Sequence, residues 1–296
     1  MPSRATAGKR AIMEYSTLIG AAALRDLEAE PSLAIIDCRC DLANPAAGRG
    51  DYLAGHLPGA CHADLARDLS APPGPATGRH PLPDPQALAA RLGAWGVDDS
   101  TQVVAYDAAN GSFAARLWWL LRWLGHRKVA VLDGGLAAWR AAGGPLQAGE
   151  VVRPARRFSA RPERDAWLDT AAVVRALGTA GHLLIDARAA ERYAGAVEPL
   201  DPVAGHVPGA VNHPFTANLG GDGHFLAPPE LRRRWLARLG QTPPGAAIAM
   251  CGSGVTACHN LLALEAAGLP GARLYAGSWS EWIRDPARPV AVGPAP

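Results

Sequence analysis

LAIIDCRC at residues 33–40 and LLIDARAA at residues 183–190 are two spellings of one element, a short apolar run that closes on Asp-x-Arg. The chain repeats around them in the same order. GHLPGA (55–60) returns as GHVPGA (205–210), QVVAYD (102–107) as AAIAMC (246–251), and VLDGGLAAW (131–139) as LYAGSWSEW (274–282). Ordered matches at a nearly constant long offset mean a duplicated domain. IIDC and LLID read as buried strands bounded by turn residues. GSFAARLWWLLRWLGH (111–126) is apolar at helical spacing and closes at Gly125, a helix-ending signal, and its partner is GVTACHNLLALEAAGL (254–269). Strands alternating with helices predict two α/β units, each a mostly parallel sheet with helices on both faces.

The length of 296 residues suits two such domains better than one. The reading divides the chain into an extended or disordered tail at 1–15, a first copy at 16–148, a linker at 149–165 and a second copy at 166–296. The linker falls within residues 143–167, which are rich in Gly, Pro and Arg. APPGPATGRHPLPDP (71–85) inside the first copy is expected to wrap over the surface. The opening MPSRATAGKR is basic but lacks the apolar core and cleavage site of a leader, which points to a tail or to translation starting at Met13.

Hydrophobic residues at 49% and charged residues at 19% indicate a soluble protein with filled cores. A formal charge of +2 supplies no attraction for nucleic acid or an anionic membrane, and no apolar run is long enough to span one. Cys38, Cys40, Cys61, Cys251 and Cys258 are too sparse for a disulfide framework, so a reducing, cytoplasmic setting is expected. The Cys38-x-Cys40 pair and Cys61-His62 lack zinc-knuckle spacing, and no metal is expected.

The chemistry gathers where the second copy runs strand to loop to helix: Cys251-Gly252-Ser253-Gly254-Val255-Thr256-Ala257. Ligand sites in such sheets lie beyond the carboxyl ends of the strands. Two glycines after the cysteine let the loop curl with its N–H groups inward, and the next helix aims its positive end at the same spot. That setting favours thiolate, the nucleophilic form. A lone cysteine at a strand end is more often a small buried hydrophobe. A filler would not need Gly-x-Gly and a polar serine directly after it. At the matching position of the first copy stands Asp107, which cannot accept sulfur and repels a sulfur oxyanion. Its loop is one residue longer before Gly111, so the first copy is expected to be structural.

CGSGVTA resembles the active-site loop of the rhodanese superfamily, in the form typical of its 3-mercaptopyruvate sulfurtransferases. The repeated Asp-x-Arg, Gly-His-x-Pro-Gly-Ala and Gly-to-Trp blocks fit tandem rhodaneses over nearly the whole chain. The resemblance implies a sulfurtransferase that carries sulfane sulfur as a Cys251 persulfide by double displacement. It implies a small anionic sulfur donor and a thiol acceptor, thioredoxin or a small thiol, or cyanide, with no cofactor because the cysteine carries the group. The amides of Gly252, Ser253, Gly254, Val255 and Thr256 would hold the persulfide. Arg192 falls on the arginine that reads the donor's anionic group, a surface ion pair with Glu191 or Glu198 being the bland alternative. Arg188 is a further substrate-side candidate, although Arg39 in the first copy argues for a structural ion pair. Neutral Gly252 and Ser253 stand at the two positions where thiosulfate-preferring rhodaneses tend to carry Arg-Lys, which favours the singly charged mercaptopyruvate. Ser253 would pass a proton to the enolate leaving group with His56 as its partner, while His206 in the other copy argues that this histidine braces a turn. Family members often carry a second substrate arginine after Glu-Pro; here the order is Glu198-Pro199-Leu200-Asp201.

Three rivals stand against this. A cysteine phosphatase needs an arginine six residues after its cysteine, where Ala257 stands. A thiosulfate-preferring transferase and a non-catalytic rhodanese-like binding or redox module are compatible with the same loop.

Overall fold

The computed structural model describes residues 14–177 and 179–296. The expected tail therefore lies outside the described residues except for Glu14 and Tyr15. Tyr15 is tied at both its N–H and its carbonyl to the side chain of Gln102.

The first half runs β1 (Leu18–Ile19), α1 (Ala21–Leu27), β2 (Leu33–Asp37), α2 (Ala47–Ala54), β3 (Cys61–His62), α3 (Pro85–Ala94), β4 (Gln102–Tyr106), α4 (Ala114–Trp123), β5 (Val129–Leu132) and α5 (Gly135–Ala141). The second runs β6 (Trp167–Leu168), α6 (Thr170–Leu177), β7 (Leu183–Asp186), α7 (Ala190–Tyr193), β8 (Val211–Asn212), α8 (Pro228–Leu239), β9 (Ala247–Met250), α9 (Ala257–Ala266), β10 (Arg273–Tyr275) and α10 (Ser278–Trp282). Each half is a five-stranded sheet, ordered β1-β5-β4-β2-β3 and β6-β10-β9-β7-β8. Every pairing is parallel, with Asp37 opposite Tyr106 in one copy and Asp186 opposite Met250 in the other. The duplication read in the sequence is thus a duplication of topology.

β2 and β4 are buried along their whole length because helices cover both faces of a parallel sheet, which is why they read as unbroken apolar runs. Ile35, Val104, Tyr106 and Trp139 pack on the outer face of the first sheet, and Leu184, Ile248, Tyr275 and Trp279 on that of the second. The inner faces share one apolar cluster, in which Leu117 and Leu121 of α4 and Leu261 and Leu264 of α9 all take part. α4 is buried nearly all round, as a helix apolar on every side must be. Its buried residues include one charged side chain, Arg116.

Residues 149–163 carry no regular structure. They run along the first half, where Arg156 N–H donates to Gly93 O and Arg161 N–H to Leu124 O. Among the described residues no helix is long and apolar enough to cross a membrane.

Candidate active site

β9 ends at Met250, and the chain turns through Cys251-Gly252-Ser253-Gly254 before α9 begins. Cys251 Sγ receives the N–H of Gly254 at 3.1 Å and that of Ser253 at 3.5 Å. Cys251 is only 2% exposed, yet its surroundings are not simply apolar, because these amides turn toward it. The amides of Gly252, Val255 and Thr256, also expected around the sulfur, make no hydrogen bond to Sγ; the Val255 side chain packs in the shared apolar cluster. Gly254 holds φ +77, and a Cβ there would lie 2.4 Å from Ala276 O, so glycine is required for the curl. The start of α10 braces the loop from behind. Trp279 N–H donates to Cys251 O, Ser280 N–H to Gly252 O, and Cys251 N–H to Ser278 Oγ.

The loop at 71–85 corrects the expectation of a surface wrap. It enters the cleft and docks on α10, with Arg79 N–H donating to Ser280 Oγ at 3.0 Å and Gly78 N–H to Glu281 Oε2 at 3.3 Å. A Cβ on Gly78 would lie 2.6 Å from Gly277 O, so the two halves touch backbone to backbone here. This insertion delivers two residues that the sequence reading missed. His80 Nδ1 lies 2.8 Å from Ser253 Oγ. Burial, reinforced by Arg116 and Arg79, pulls the imidazole down to about 4, so the ring is neutral at pH 7 and can accept a proton. The guanidinium of Arg79 stands over Gly252, 2.9 Å from where a Cβ would be, and is salt-bridged to Asp201.

Arg192 stands over the same glycine, its terminal nitrogens 3.6 Å from that Cβ position. It pairs with Glu198 at 2.6 Å and reaches Asp201 at 3.5 Å, so the ion-pair alternative and the site position hold together. Burial alone would raise the Glu198 carboxyl, but Arg192 and the amides of Leu200 and Asp201 outweigh it and hold it below its usual range. Two guanidiniums and two carboxylates therefore line the mouth above the sulfur. Asp201, in the Glu198-Pro199-Leu200-Asp201 segment, recruits Arg79 from the other half.

Two expected participants are placed elsewhere. His56 is fully buried on the outer face of the first sheet, stacked on Tyr52 at 4.2 Å with Nδ1 on Tyr52 O. His206 does the same with Tyr193 in the second half. Ser253 has His80 instead. Arg188 donates to Asp186, Gly205 O and Glu198 and lies over the Trp279 ring, so its guanidinium is spent on the fold, as Arg39 is in the first half on Asp37 and Gly55 O. Both carry the motif because both brace it.

Arg116 was also missed. It interrupts an apolar helix of the first half and reaches across to the second, where its Nη1 donates to Gly254 O at 3.0 Å. Its Nη2 faces the carbonyls of His80, Leu69 and Pro81 at 3.2 to 3.4 Å. The polar break in GSFAARLWW was the signal available in the sequence.

The matching loop of the first half is filled from within. Asp107 Oδ1 accepts from Ala109 and Gly111 N–H, and Oδ2 from Phe113 and Ala114 N–H, all at 2.8 to 2.9 Å. The extra residue, Asn110, sits at φ 58. Tyr52 and Tyr193 play the same part in their halves, each hydroxyl donating to the carbonyl of Ala60 or Ala210, so Asp51 occupies the place of Arg192. The first half presents carboxylates where the second presents a sulfur and a cation.

The chain is similar to known proteins over most of its length. Residues 20–142 and 169–285 each match the rhodanese-like domain family. The chain is 53% identical over 283 residues to a "Probable 3-mercaptopyruvate sulfurtransferase" of Pseudomonas aeruginosa, covering 95% of this chain and 100% of that protein. It is 37% identical over 262 residues to the thiosulfate sulfurtransferase of Bos taurus, covering 86% of each. The crystal structure of SseA, a 3-mercaptopyruvate sulfurtransferase from Escherichia coli, superposes with a TM-score of 0.77 at 35% identity, over 90% of this chain and 100% of that one.

Proposed function

The chain belongs to the rhodanese family and is a sulfurtransferase of two rhodanese-like domains, and we propose that it takes sulfur from 3-mercaptopyruvate and carries it as a persulfide on Cys251. The Cys251 thiolate attacks the donor's sulfur. The S–S bond forms as the C–S bond breaks, and the bonding pair passes to carbon as the enolate of pyruvate. The proton that leaves the donor thiol ends on that carbon, relayed by Ser253 with neutral His80 behind it. An acceptor thiolate then attacks the outer sulfur and releases Cys251. Thioredoxin or a small thiol fits that second step, and we assign the reaction to a reducing cytoplasm, in keeping with five free cysteines.

The observation that carries the donor is the Ser253–His80 pair. Thiosulfate leaves as sulfite and needs no proton, so a relay beside the sulfur is useful only to a carbon leaving group. The mouth supports the same reading. Arg79 alone would favour a dianion, but Asp201 and Glu198 offset Arg79 and Arg192, leaving a balance suited to a monocarboxylate. Asp107 supports the persulfide, because its second oxygen meets two helix-start amides where the outer sulfur of a Cys251 persulfide would lie in the other copy.

Incubation with 3-mercaptopyruvate should add one sulfur atom to the wild-type mass and none to Cys251→Ser. No gain from either donor would leave a binding module. In steady state 3-mercaptopyruvate should show the higher kcat/KM, and a preference for thiosulfate would overturn the donor.

A further inference from the structure

Arg116 is fully buried: its Nη groups donate to carbonyl oxygens, the Cys258 sulfur lies beside it, and among the described residues no carboxylate pairs with it. Carbonyls take up its Nη groups, its Nε is buried without a hydrogen-bond partner, and its charge has no carboxylate counter-ion, an arrangement that is strongly unfavourable for a buried cation. The group sits one residue from the sulfur cradle, since Gly254 accepts from Arg116 at its carbonyl and donates to Cys251 Sγ at its N–H. We infer that Arg116 is the built-in counter-cation of the anion on Cys251, a positioning residue lent to the second domain's site by the first. The inference rests on Cys251 being the sulfur carrier but is independent of which donor loads it.

Two observations support it. Cys258, the other thiol nearby, uses its hydrogen on Gly254 O at 3.3 Å, and burial pushes it up to about 12, so it remains neutral. Cys251, whose sulfur accepts the amide N–H groups of Ser253 and Gly254, is the thiol placed to carry the charge. The second is a broken symmetry. Arg116 and His259 stand at matching places, each five residues after its loop glycine, Gly111 or Gly254. Each reaches across to the other half's loop, His259 Nε2 lying 3.2 Å from Asn110 O. Burial pulls His259 down to about 3, so it is neutral. The cation serves the loop that holds sulfur, and the neutral ring serves the loop already occupied by Asp107.

The charged and titratable groups around the sulfur are Arg116 on α4, Cys258 on α9, His80 through Ser253, and Arg79 and Arg192 over Gly252 with their partners Asp201 and Glu198. The test is the pH profile of Cys251 alkylation by iodoacetamide in the full chain. Arg116→Gln, which keeps a donor but not the charge, should displace the profile to higher pH and slow alkylation at pH 7 by roughly tenfold or more. Arg116→Lys should stay with the wild type. A superimposable Arg116→Gln profile would overturn the inference. A second measurement needs no change at position 116. Wild type carboxymethylated on Cys251 should melt above wild type carboxamidomethylated there, because the adducts differ in charge and hardly in size. That gap should survive 1 M NaCl, which screens the partly exposed Arg79 and Arg192 more than a fully buried pair. Equal melting, or a gap abolished by salt, would also overturn it.

Discussion

Ser253 is legible in the sequence as the neutral neighbour of the sulfur, but its partner is not, because His80 lies 173 positions away in the other copy. Sequence reasoning reached for His56 because it belongs to a motif. The structure reverses that logic. Residues present in both copies, such as His56 and His206 or Arg39 and Arg188, brace the same turn twice. Residues that differ between copies, Cys251 against Asp107 and Arg192 against Asp51, are the ones at the site. A duplicated chain therefore marks its chemistry by where the repeat fails. His80→Ala should lower kcat with 3-mercaptopyruvate about 10²-fold and change thiosulfate turnover far less, since only the first leaving group needs a proton. Equal losses with both donors, measured in steady state, would remove the relay role.

At the scale of elements, the strands and helices were readable and the strap was not. Runs such as LAIID declare a strand buried on both faces, and the predicted helices at 111–126 and 254–269 contain α4 and α9 with a few residues trimmed from each end. The trimmed starts are the loops themselves, whose glycines look helical in a periodicity count. The Pro- and Gly-rich composition of 71–85 shows that the segment is irregular but not where it lands, because its partners on α10 lie about two hundred positions on. The β9–loop–α9 unit makes a sharp prediction. Gly254→Ala must accommodate both φ +77 and a Cβ 2.4 Å from Ala276 O. It should cost about 1–3 kcal/mol of stability and, by turning the amide away from Sγ, about 10²-fold or more in sulfur transfer. Wild-type rates at wild-type Tm would show that the loop does not need its curl.

For the whole molecule, the apolar cluster shared by the inner faces makes the halves one cooperative body, with charged and polar groups buried at their seam. Burial holds His80 and His213 at about 4 and His259 at about 3, all below the usual imidazole range. Between an ordinary imidazole pKa near 6.5 and those values, the unfolded chain binds protons that the folded chain refuses. Their contribution is full above that range and is lost as pH falls through it. Thermal melts should therefore drop steadily from pH 7 to 4.5, by an amount corresponding to several kcal/mol (order of magnitude). A level Tm across that range would mean that these rings titrate freely. The carboxylate of Asp107 has a different consequence at this scale. With one loop permanently occupied by the protein's own anion, each polypeptide has a single berth for cargo. With sulfur carried on Cys251 as proposed, excess donor should load no more than one equivalent per polypeptide, counted by mass.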